Sequence, residues 1–484
     1  MSRKLLLTTL LLITASVLYA ESGFRLDDKS LITVLQALKD DSRAYTANEA
    51  YNKGGRLQHD AAMSQYGLQL NGTLDSAGQN SFNNSASGIE VNNNFSLSAG
   101  PQLSFSQLLP SYGTLSGSIT DKLTGSGIET SNSPILPQRD PSFNNELSLS
   151  IGLAQPLYFG DAYDASLTKI DESLEITNIN YLNNRNILII SAVEDYYNLL
   201  KTKYQVELIS VRLETNSENL RRMEKEYQLG VWTQSHLNSA RAASLQAEAD
   251  LLKAEQTYTA ARELLSSVYG LELSVQTGTD SAITAFSAED LEKVNLHSLY
   301  NNNPDIRLSL NQIAIAESDI VLTEQQSAMV LNAGGSYKIT SGLTETSFAD
   351  NLSLSLTLSS SIIDSSSAEN TLAVKQNEIS RLQNELEDKQ KRIESQIKLL
   401  INNITLGRKL SEIYSLQEET SRFEYEKGLK EFELGGITQK DLLELQIELE
   451  NTRLSLLLNK IDNNLAVLQL YKLLGFDLEA MLIG

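Results

Sequence analysis

The chain of 484 residues is acidic: 61 Asp and Glu oppose 39 Lys and Arg, which gives a formal net charge of −22 at pH 7. This charge argues against a nucleic-acid partner, because the phosphates would be repelled. The sequence contains no cysteine, which excludes disulfide bonds and thiolate metal sites.

Residues 1–20 have the pattern of a secretory signal peptide. Arg3 and Lys4 form a short positive region, Leu5–Leu18 is apolar but too short to span a bilayer, and Ala20 supplies the small residue at the cleavage position. An uncleaved N-terminal anchor is the alternative. No later apolar run reaches the length of a transmembrane helix. A membrane-spanning chain of this kind must form a closed β-barrel, the other structure that satisfies its own backbone in lipid.

Residues 21–273 and 274–478 are predicted to be two copies of one structural unit. Residues 227–234 align with residues 432–439 at an offset of 432 − 227 = 205, and the same offset relates the two leucine–serine segments described below. One ungapped register over so long a stretch indicates a duplication. Each copy is predicted to contain a helix, then β-strands, then two long helices joined by a tight break.

The strands are predicted from alternation. Residues 147–153 and 352–358 alternate aliphatic side chains with small, mostly polar ones. This period of two is typical of a strand with one apolar and one polar face. Its length and its serine-rich polar face favour a membrane barrel strand over a strand of a soluble sandwich. Partner strands are predicted near residues 66–74 and within a β-hairpin at about 334–362.

The first copy carries an insertion at about 77–145. Within it, residues 95–99 and 115–119 alternate apolar and polar side chains, and segments rich in Asn, Ser and Gly flank them. We expect an enlarged extracellular loop with β character here. Two additional barrel strands per chain are the alternative.

Helical hairpins are predicted at about 161–270 and 365–474, where proline is nearly absent and Leu, Glu, Lys, Gln and Asn dominate. In the second hairpin, apolar residues including Ile393, Ile397 and Ile404 recur with the spacing of a heptad seam. Such helices are expected to pack lengthwise against other helices. A helix of about 70 residues is roughly 100 Å long.

Two strands in each copy give four per chain, and an open four-stranded sheet in lipid would leave its edges unpaired. Closure therefore requires other copies. The predicted fold class is an α+β membrane protein: a trimeric 12-stranded β-barrel with four strands per chain, continued by a long α-helical coiled-coil tunnel and built from two internal repeats. The number of copies rests on a family resemblance.

The duplicated order of strand, long helix, Gly-x-x-Thr and long helix resembles the TolC-like outer-membrane efflux proteins. The closing Leu-Leu-Gly at 473–475 and the Gln-Pro-Leu-Tyr-Phe-Gly segment at 155–160, where a strand turns into a helix, also fit this family. The resemblance covers about 30–478, apart from the insertion. It implies a homotrimeric channel in the outer membrane, in contact with its lipid and extending into the periplasm, with an equatorial belt formed by about 275–300 and the C-terminal end.

The resemblance also implies partners and a function. A periplasmic adaptor (membrane fusion) protein would connect the channel to an inner-membrane RND or ABC transporter. The channel would then serve a tripartite efflux or type I secretion system and pass small molecules or proteins to the exterior. The alternative is a secreted or surface coiled-coil structural or adhesion protein without a pore. The ten-residue amphipathic strands argue against that alternative, because a soluble coiled coil does not need them.

The resemblance further implies a constriction near the second helical break. By position, Asp441 and Glu444 would form two carboxylate rings in a trimer, attract cations and raise each other's pKa. The competing interpretation is that they are ordinary acidic residues in the first turn of a helix. Phe432 and His236 occupy other positions of the family's closing network, where they replace a tyrosine and an acidic residue.

The helix breaks themselves are the predicted adaptor-docking tips. Gly230 and Gly435 would end the first helix of each pair in the left-handed conformation, and Thr233 and Thr438 would cap the returning helix. The docking surface is predicted to consist of residues at these two breaks: Gly230, Trp232, Thr233, Gly435, Ile437 and Thr438. For Trp232, burial in a core is an equally good interpretation.

An enzymatic function is not expected. The histidines, His59, His236 and His297, lack metal-ligand spacing, and no nucleophile elbow, P-loop or dinucleotide-binding fingerprint occurs in a suitable context. The sequence therefore predicts no catalytic residues, no metal and no cofactor.

Overall fold

The computed structural model describes residues 29–84, 91–130, 139–157, 161–271, 302–326, 328–342, 348–359 and 367–482. The predicted signal peptide and the predicted belt at 275–300 lie outside these ranges. Among the residues described, no helix is both long enough and apolar enough to cross a membrane.

Within the described ranges, helices and strands follow one another in a regular order. The first part of the chain contains α1 (Lys29–Asp41), α2 (Arg43–Ser64), β1 (Gln69–Asn84), β2 (Val91–Leu108), β3 (Thr114–Thr130), β4 (Arg139–Pro156), α3 (Ala162–Gln228) and α4 (Gln234–Tyr269). The later part contains α5 (Pro304–Gln326), β5 (Val330–Gly342), β6 (Phe348–Ser359), α6 (Ser367–Glu433), α7 (Gln439–Leu473) and α8 (Leu478–Leu482).

The strands form one antiparallel sheet in the order β1-β2-β3-β4-β5-β6. The predicted count of four strands per chain is therefore corrected to six. The insertion was expected to be a surface loop, but it supplies β2 and β3 between β1 and β4. The physical reason is that both segments alternate apolar and polar side chains over most of their central residues, so each can pair on both edges and keep its apolar side chains on one face.

The chain divides into two compact units. One comprises Gly54–Thr177 and Ser309–Glu385 and contains the six-stranded sheet with the helix segments that adjoin it. The other comprises Met1–Lys53, Asn178–Leu308 and Leu386–Gly484 and contains the helical core. The predicted division of the sequence into two repeats stays a prediction.

The helical core is aliphatic and aromatic. Ile393, Ile397 and Ile404 of α6, which belong to the predicted heptad seam, are buried. They share the core with Tyr196 of α3 and Leu470 of α7, both of them 2 % exposed or less. Lengthwise packing of this kind removes one apolar stripe of each helix from water, which stabilises the long hairpins more than helix propensity does.

A polar cluster holds α8 within this unit. Arg185 of α3 forms ion pairs with Asp477 and, at 2.8 Å, with Glu479. The Glu479 carboxylate also accepts a hydrogen bond from Tyr45 at 2.8 Å and pairs with Lys39 at 2.9 Å. The ion pairs compensate part of the desolvation of these groups, and Arg185 Nε is buried without a hydrogen-bond partner.

Ion pairs also connect the helix segments of the sheet-containing unit. His59 Nε2 of α2 lies 3.0 Å from Asp171 Oδ1 of α3, and Lys169 Nζ lies 2.7 Å from Asp319 Oδ1 of α5. The hydrogen bond to Asp171 is the largest cause that raises the pKa of His59. These contacts hold α2 and α5 against the N-terminal part of α3.

Candidate functional site

The sheet has one apolar face and one polar face. A single register row on the apolar face crosses the strands through Gly72, Leu103, Ile119, Leu149, Tyr337 and Leu352. The adjacent row on the polar face crosses them through Asn71, Ser104, Ser118, Ser150, Ser336 and Ser353. Separation of this kind is what a wall between lipid and water requires.

Hydrogen bonds and an ion pair on the polar face link neighbouring strands. The hydroxyl groups of Ser118 and Ser150 lie 2.8 Å apart, and Lys338 Nζ pairs with Glu146 Oε2 at 2.8 Å. These side chains satisfy part of their hydrogen-bonding capacity with one another, and the remainder can be satisfied by water. The face that carries them is therefore suited to line an aqueous passage.

Both edge strands expose leucines on the apolar face of the sheet. Leu74 of β1 is 79 % exposed and Leu354 of β6 is 80 % exposed, whereas Leu149 in the middle of the sheet is 50 % exposed. Neither outer edge has a partner strand in the described sheet. A long apolar edge with unpaired backbone groups pairs readily with another chain.

The breaks between the long helices have nearly identical backbones. Gly230 has φ 77° and Gly435 has φ 72°. At the first break the Gly230 and Val231 amides donate to the carbonyls of Tyr227 and Glu226, each at 2.9 Å. The second break repeats this pattern of two hydrogen bonds. It is the Schellman arrangement, which requires the left-handed conformation and therefore favours glycine.

The first tip groups an aromatic side chain with His236. The Trp232 ring lies 5.0 Å from the His236 ring, centroid to centroid, and its indole N–H donates to Glu226. The hydroxyl of Thr233 lies 2.7 Å from Nδ1 of His236 and makes no capping hydrogen bond to the helix. Trp232 is 39 % exposed, so its ring is available at the surface of this chain.

The second tip is closed by a reciprocal cap. The Thr438 hydroxyl accepts a hydrogen bond from the Asp441 amide at 3.3 Å, and the Asp441 carboxylate accepts one from the Thr438 amide at 2.9 Å. The side-chain and backbone hydrogen bonds from Thr438 lower the pKa of Asp441. Within one chain, Asp441 is thus a helix-capping carboxylate. The increase in its pKa that was expected from a ring of carboxylates stays a prediction.

A lysine that the sequence prediction omitted is paired with the second candidate carboxylate. Lys440 Nζ lies 2.7 Å from Glu444 Oε1, at the i, i+4 spacing that the sequence already contains. The guanidinium of Arg222 on α3 also contributes to the lowered pKa of Asp441. Within one chain, both candidate carboxylates are therefore accompanied by a basic side chain.

Exposed apolar side chains surround both turns. Leu229 is 79 % and Leu434 is 87 % exposed, and Phe432 is exposed as well. Ile437 is half-buried, with its Cδ1 3.5 Å from the position that a Cβ would take at the buried Gly428. The predicted constriction residues are thus divided: Phe432 lies at the second tip with Asp441 and Glu444, whereas the contacts of His236 are with residues of its own tip.

A family model described as outer membrane efflux protein matches residues 107–271 and 295–476. This chain belongs to the outer membrane efflux protein family. The match begins at residue 107, so it leaves out the start of the first predicted repeat, and it includes β3 to β6 and the four long helices. Membership confirms the resemblance inferred from the sequence and places the protein in the outer membrane, with an extension into the periplasm. None of the curated proteins compared with the chain matches it.

Solved structures of outer-membrane channels share the fold. CmeC from Campylobacter jejuni aligns with a TM-score of 0.62 and 12 % identity, covering 93 % of this chain and 86 % of that one. VceC from Vibrio cholerae gives 0.61 and 13 %, covering 93 % and 97 %. MtrE from Neisseria gonorrhoeae, solved in its open state, gives 0.61 and 14 %, covering 93 % and 89 %. The predicted fold class, a membrane β-barrel with a helical tunnel, is confirmed apart from the number of strands.

Proposed function

We propose that three copies of the chain form one trans-envelope export channel, which passes small molecules or proteins received from an inner-membrane transporter to the exterior. The observation that carries this proposal is the sheet: it is amphipathic across its width, and both of its edge strands expose leucines on the apolar face. In lipid, such a sheet is stable only when its edges are paired. The six strands alternate in direction, so β6 of one copy runs antiparallel to β1 of the next.

The proposed trimer brings the helical hairpins of three chains together. The exposed side chains at the two tips, Leu229, Trp232 and Leu434 among them, then form the surface that receives a periplasmic adaptor. Gly230, Thr233, Gly435, Ile437 and Thr438 shape the turns that present this surface. We infer that an RND or ABC transporter supplies the cargo through that adaptor.

We infer that Asp441 and Glu444 line the periplasmic constriction, with Phe432 and His236 near it. Two carboxylates about 6 Å apart repel by roughly 3 kcal/mol at an effective dielectric constant of 20. The ion pair between Lys440 and Glu444 offsets part of this repulsion. Multivalent cations are therefore expected to bind at this ring and block the passage of ions.

Fractionation tests the proposed channel. Cells that express the chain should contain it in the outer membrane as an oligomer that resists detergent and dissociates on heating. A soluble monomer would contradict the proposal.

Planar bilayers test the constriction. The double variant Asp441→Asn, Glu444→Gln should lose block by multivalent cations, whereas the control Glu226→Gln at the first tip should keep it. Unchanged block in the double variant would remove both carboxylates from the constriction.

A further inference from the structure

We infer that the membrane barrel of this protein has eighteen strands, six from each of three copies, and that β2 and β3 are part of its wall. The inference rests on the proposed trimer. It departs from the twelve strands that the sequence predicted, because the segment between β1 and β4 continues the sheet. The consequence is a wider exit through the outer membrane.

The inserted strands carry the same two faces as their neighbours. On the apolar face, Leu103 of β2 is 46 % exposed and Ile119 of β3 is 48 % exposed, close to the 50 % of Leu149 on β4. The apolar series runs from Leu97 to Phe105 on β2, similar to the ~9–11 residues that a tilted strand needs to cross a bilayer. A loop in water would expose these side chains at a cost, whereas contact with lipid removes that cost.

Side-chain packing integrates the inserted strands into the sheet. The Phe105 ring of β2 covers Gly117 of β3, where a Cβ would collide with it. The Phe143 ring of β4 covers Gly125 of β3, with Cε1 only 2.8 Å from the position that a Cβ would take. Aromatic rings over glycines fix the register of adjacent strands. The two interfaces of β3, with β2 and with β4, therefore have the specific packing of a permanent sheet.

Two residues interrupt the apolar face. Pro101 of β2 lies at an interruption of the pairing with β3, where the residues of β2 between Ala99 and Gln102 have no registered partner on β3. Asp121 of β3 lies opposite Leu147, on the apolar face. A carboxylate on the lipid side costs less than a lysine or arginine, and little near the interface of the bilayer. Leu115, Ile119 and Leu123 carry the apolar face of β3, and Asp121 interrupts it between the last two.

The additional strands widen the barrel. With strands ~4.8 Å apart and tilted by about 40°, eighteen strands give a backbone-to-backbone diameter of roughly 36 Å, against roughly 24 Å for twelve. Subtracting side chains of ~5 Å on each wall leaves an open width of about 26 Å for eighteen strands and about 14 Å for twelve. The wider exit admits an α-helical hairpin, roughly 20 Å across, whereas the narrower one admits a single helix.

Single cysteines can test the inference because the chain has none of its own. We compare Leu103→Cys with Ser104→Cys on β2, and use Leu149→Cys with Ser150→Cys on β4 as the matched control. Each variant is treated with a membrane-impermeant maleimide in outer-membrane vesicles. We expect Ser104→Cys to react and Leu103→Cys to be protected, in the same ratio as the β4 pair.

The possible outcomes separate this inference from the proposed channel. If the β4 pair keeps its contrast while Leu103→Cys reacts as fast as Ser104→Cys, β2 lies outside the wall and only the wide barrel is wrong. If the β4 pair also loses its contrast, the membrane wall itself is wrong and the proposed channel fails with it. Images of the purified oligomer give a second readout: a barrel about 36 Å wide supports eighteen strands, and one about 24 Å wide overturns them.

Discussion

Replacement of Thr438 by alanine is expected to loosen the second hairpin tip, whereas the same replacement of Thr233 should change the first tip little. The two threonines are equivalent by position in the predicted repeats. Thr438 exchanges hydrogen bonds with Asp441, which receives one from the Thr438 amide at 2.9 Å and returns one to its hydroxyl at 3.3 Å. The hydroxyl of Thr233 instead contacts His236 and makes no capping bond.

The size of the difference follows from the cap. Loss of an N-cap threonine costs about 1 kcal/mol, within a range of roughly 0.5–2 kcal/mol. At 25 °C, ~1 kcal/mol changes the local opening equilibrium about fivefold. Thr233→Ala removes no capping bond, so its expected effect is a few tenths of a kcal/mol, less than about twofold.

Hydrogen exchange detected by mass spectrometry measures both effects in the folded protein. Peptides covering residues 434–445 should exchange about fivefold faster in Thr438→Ala than in the unaltered chain. Peptides covering residues 229–240 should be nearly unchanged in Thr233→Ala. Equal acceleration at the two tips would refute the argument from the capping bonds.

Three further predictions concern the backbone and titrating groups. Gly435→Ala should destabilise the second tip by about 1–2 kcal/mol, because φ is positive there. Gly54→Ala lies inside α2 with open space around its Cβ position and should stabilise that helix by roughly 0.5–1 kcal/mol. Local hydrogen exchange should therefore become faster around Gly435 and slower around Gly54. The pKa of His59 is raised, so the stabilisation from its pairing with Asp171 is fully present below the ordinary histidine pKa and is lost as pH rises through the pKa of the folded protein. The substitution Asp171→Asn should return the pKa of His59, measured by NMR titration, toward its ordinary value. An unchanged pKa would contradict the pairing. The pKa of Asp441 is lowered, so its capping hydrogen bonds persist from neutral pH down to the ordinary aspartate pKa and are lost as pH falls through the pKa of the folded protein. Hydrogen-exchange rates at the second tip, corrected for their intrinsic pH dependence, should therefore rise only at pH values below the ordinary aspartate pKa.

Local features of the fold could be predicted from the sequence. The glycines at 230 and 435 determine where the long helices end, because a positive φ is inexpensive only for glycine. The difference between the two caps is also encoded in the sequence. Thr438 is followed three residues later by Asp441, whose carboxylate can accept from the backbone amide of the capping residue, whereas Thr233 is followed by His236. The i, i+4 spacing of Lys440 and Glu444 carried a signal of the same kind.

The number of strands could not be predicted in this way. Pairing of β2 with β1 and β3 is decided by contacts that are distant in sequence, and the alternation in the insertion is weakened by Pro101, Gly117 and Asp121. The polar ends of these strands are rich in Asn, Ser and Gly, which is also the composition of loops. The register is fixed by pairing along all six strands, which local sequence does not encode.

The channel proposed here depends on pairing between β1 of one copy and β6 of the next, and disulfide cross-linking tests that pairing most directly. Thr73→Cys on β1 is combined in turn with cysteine at Ser353, Ser355 or Thr357 on β6. The pair Ser336→Cys, Ser353→Cys, whose hydroxyl groups lie 2.7 Å apart within one chain, is the control. At least one combination should give covalent species that end at three linked chains in the outer-membrane fraction. Formation of the control disulfide without any link between chains, across the whole series, would contradict the closed barrel.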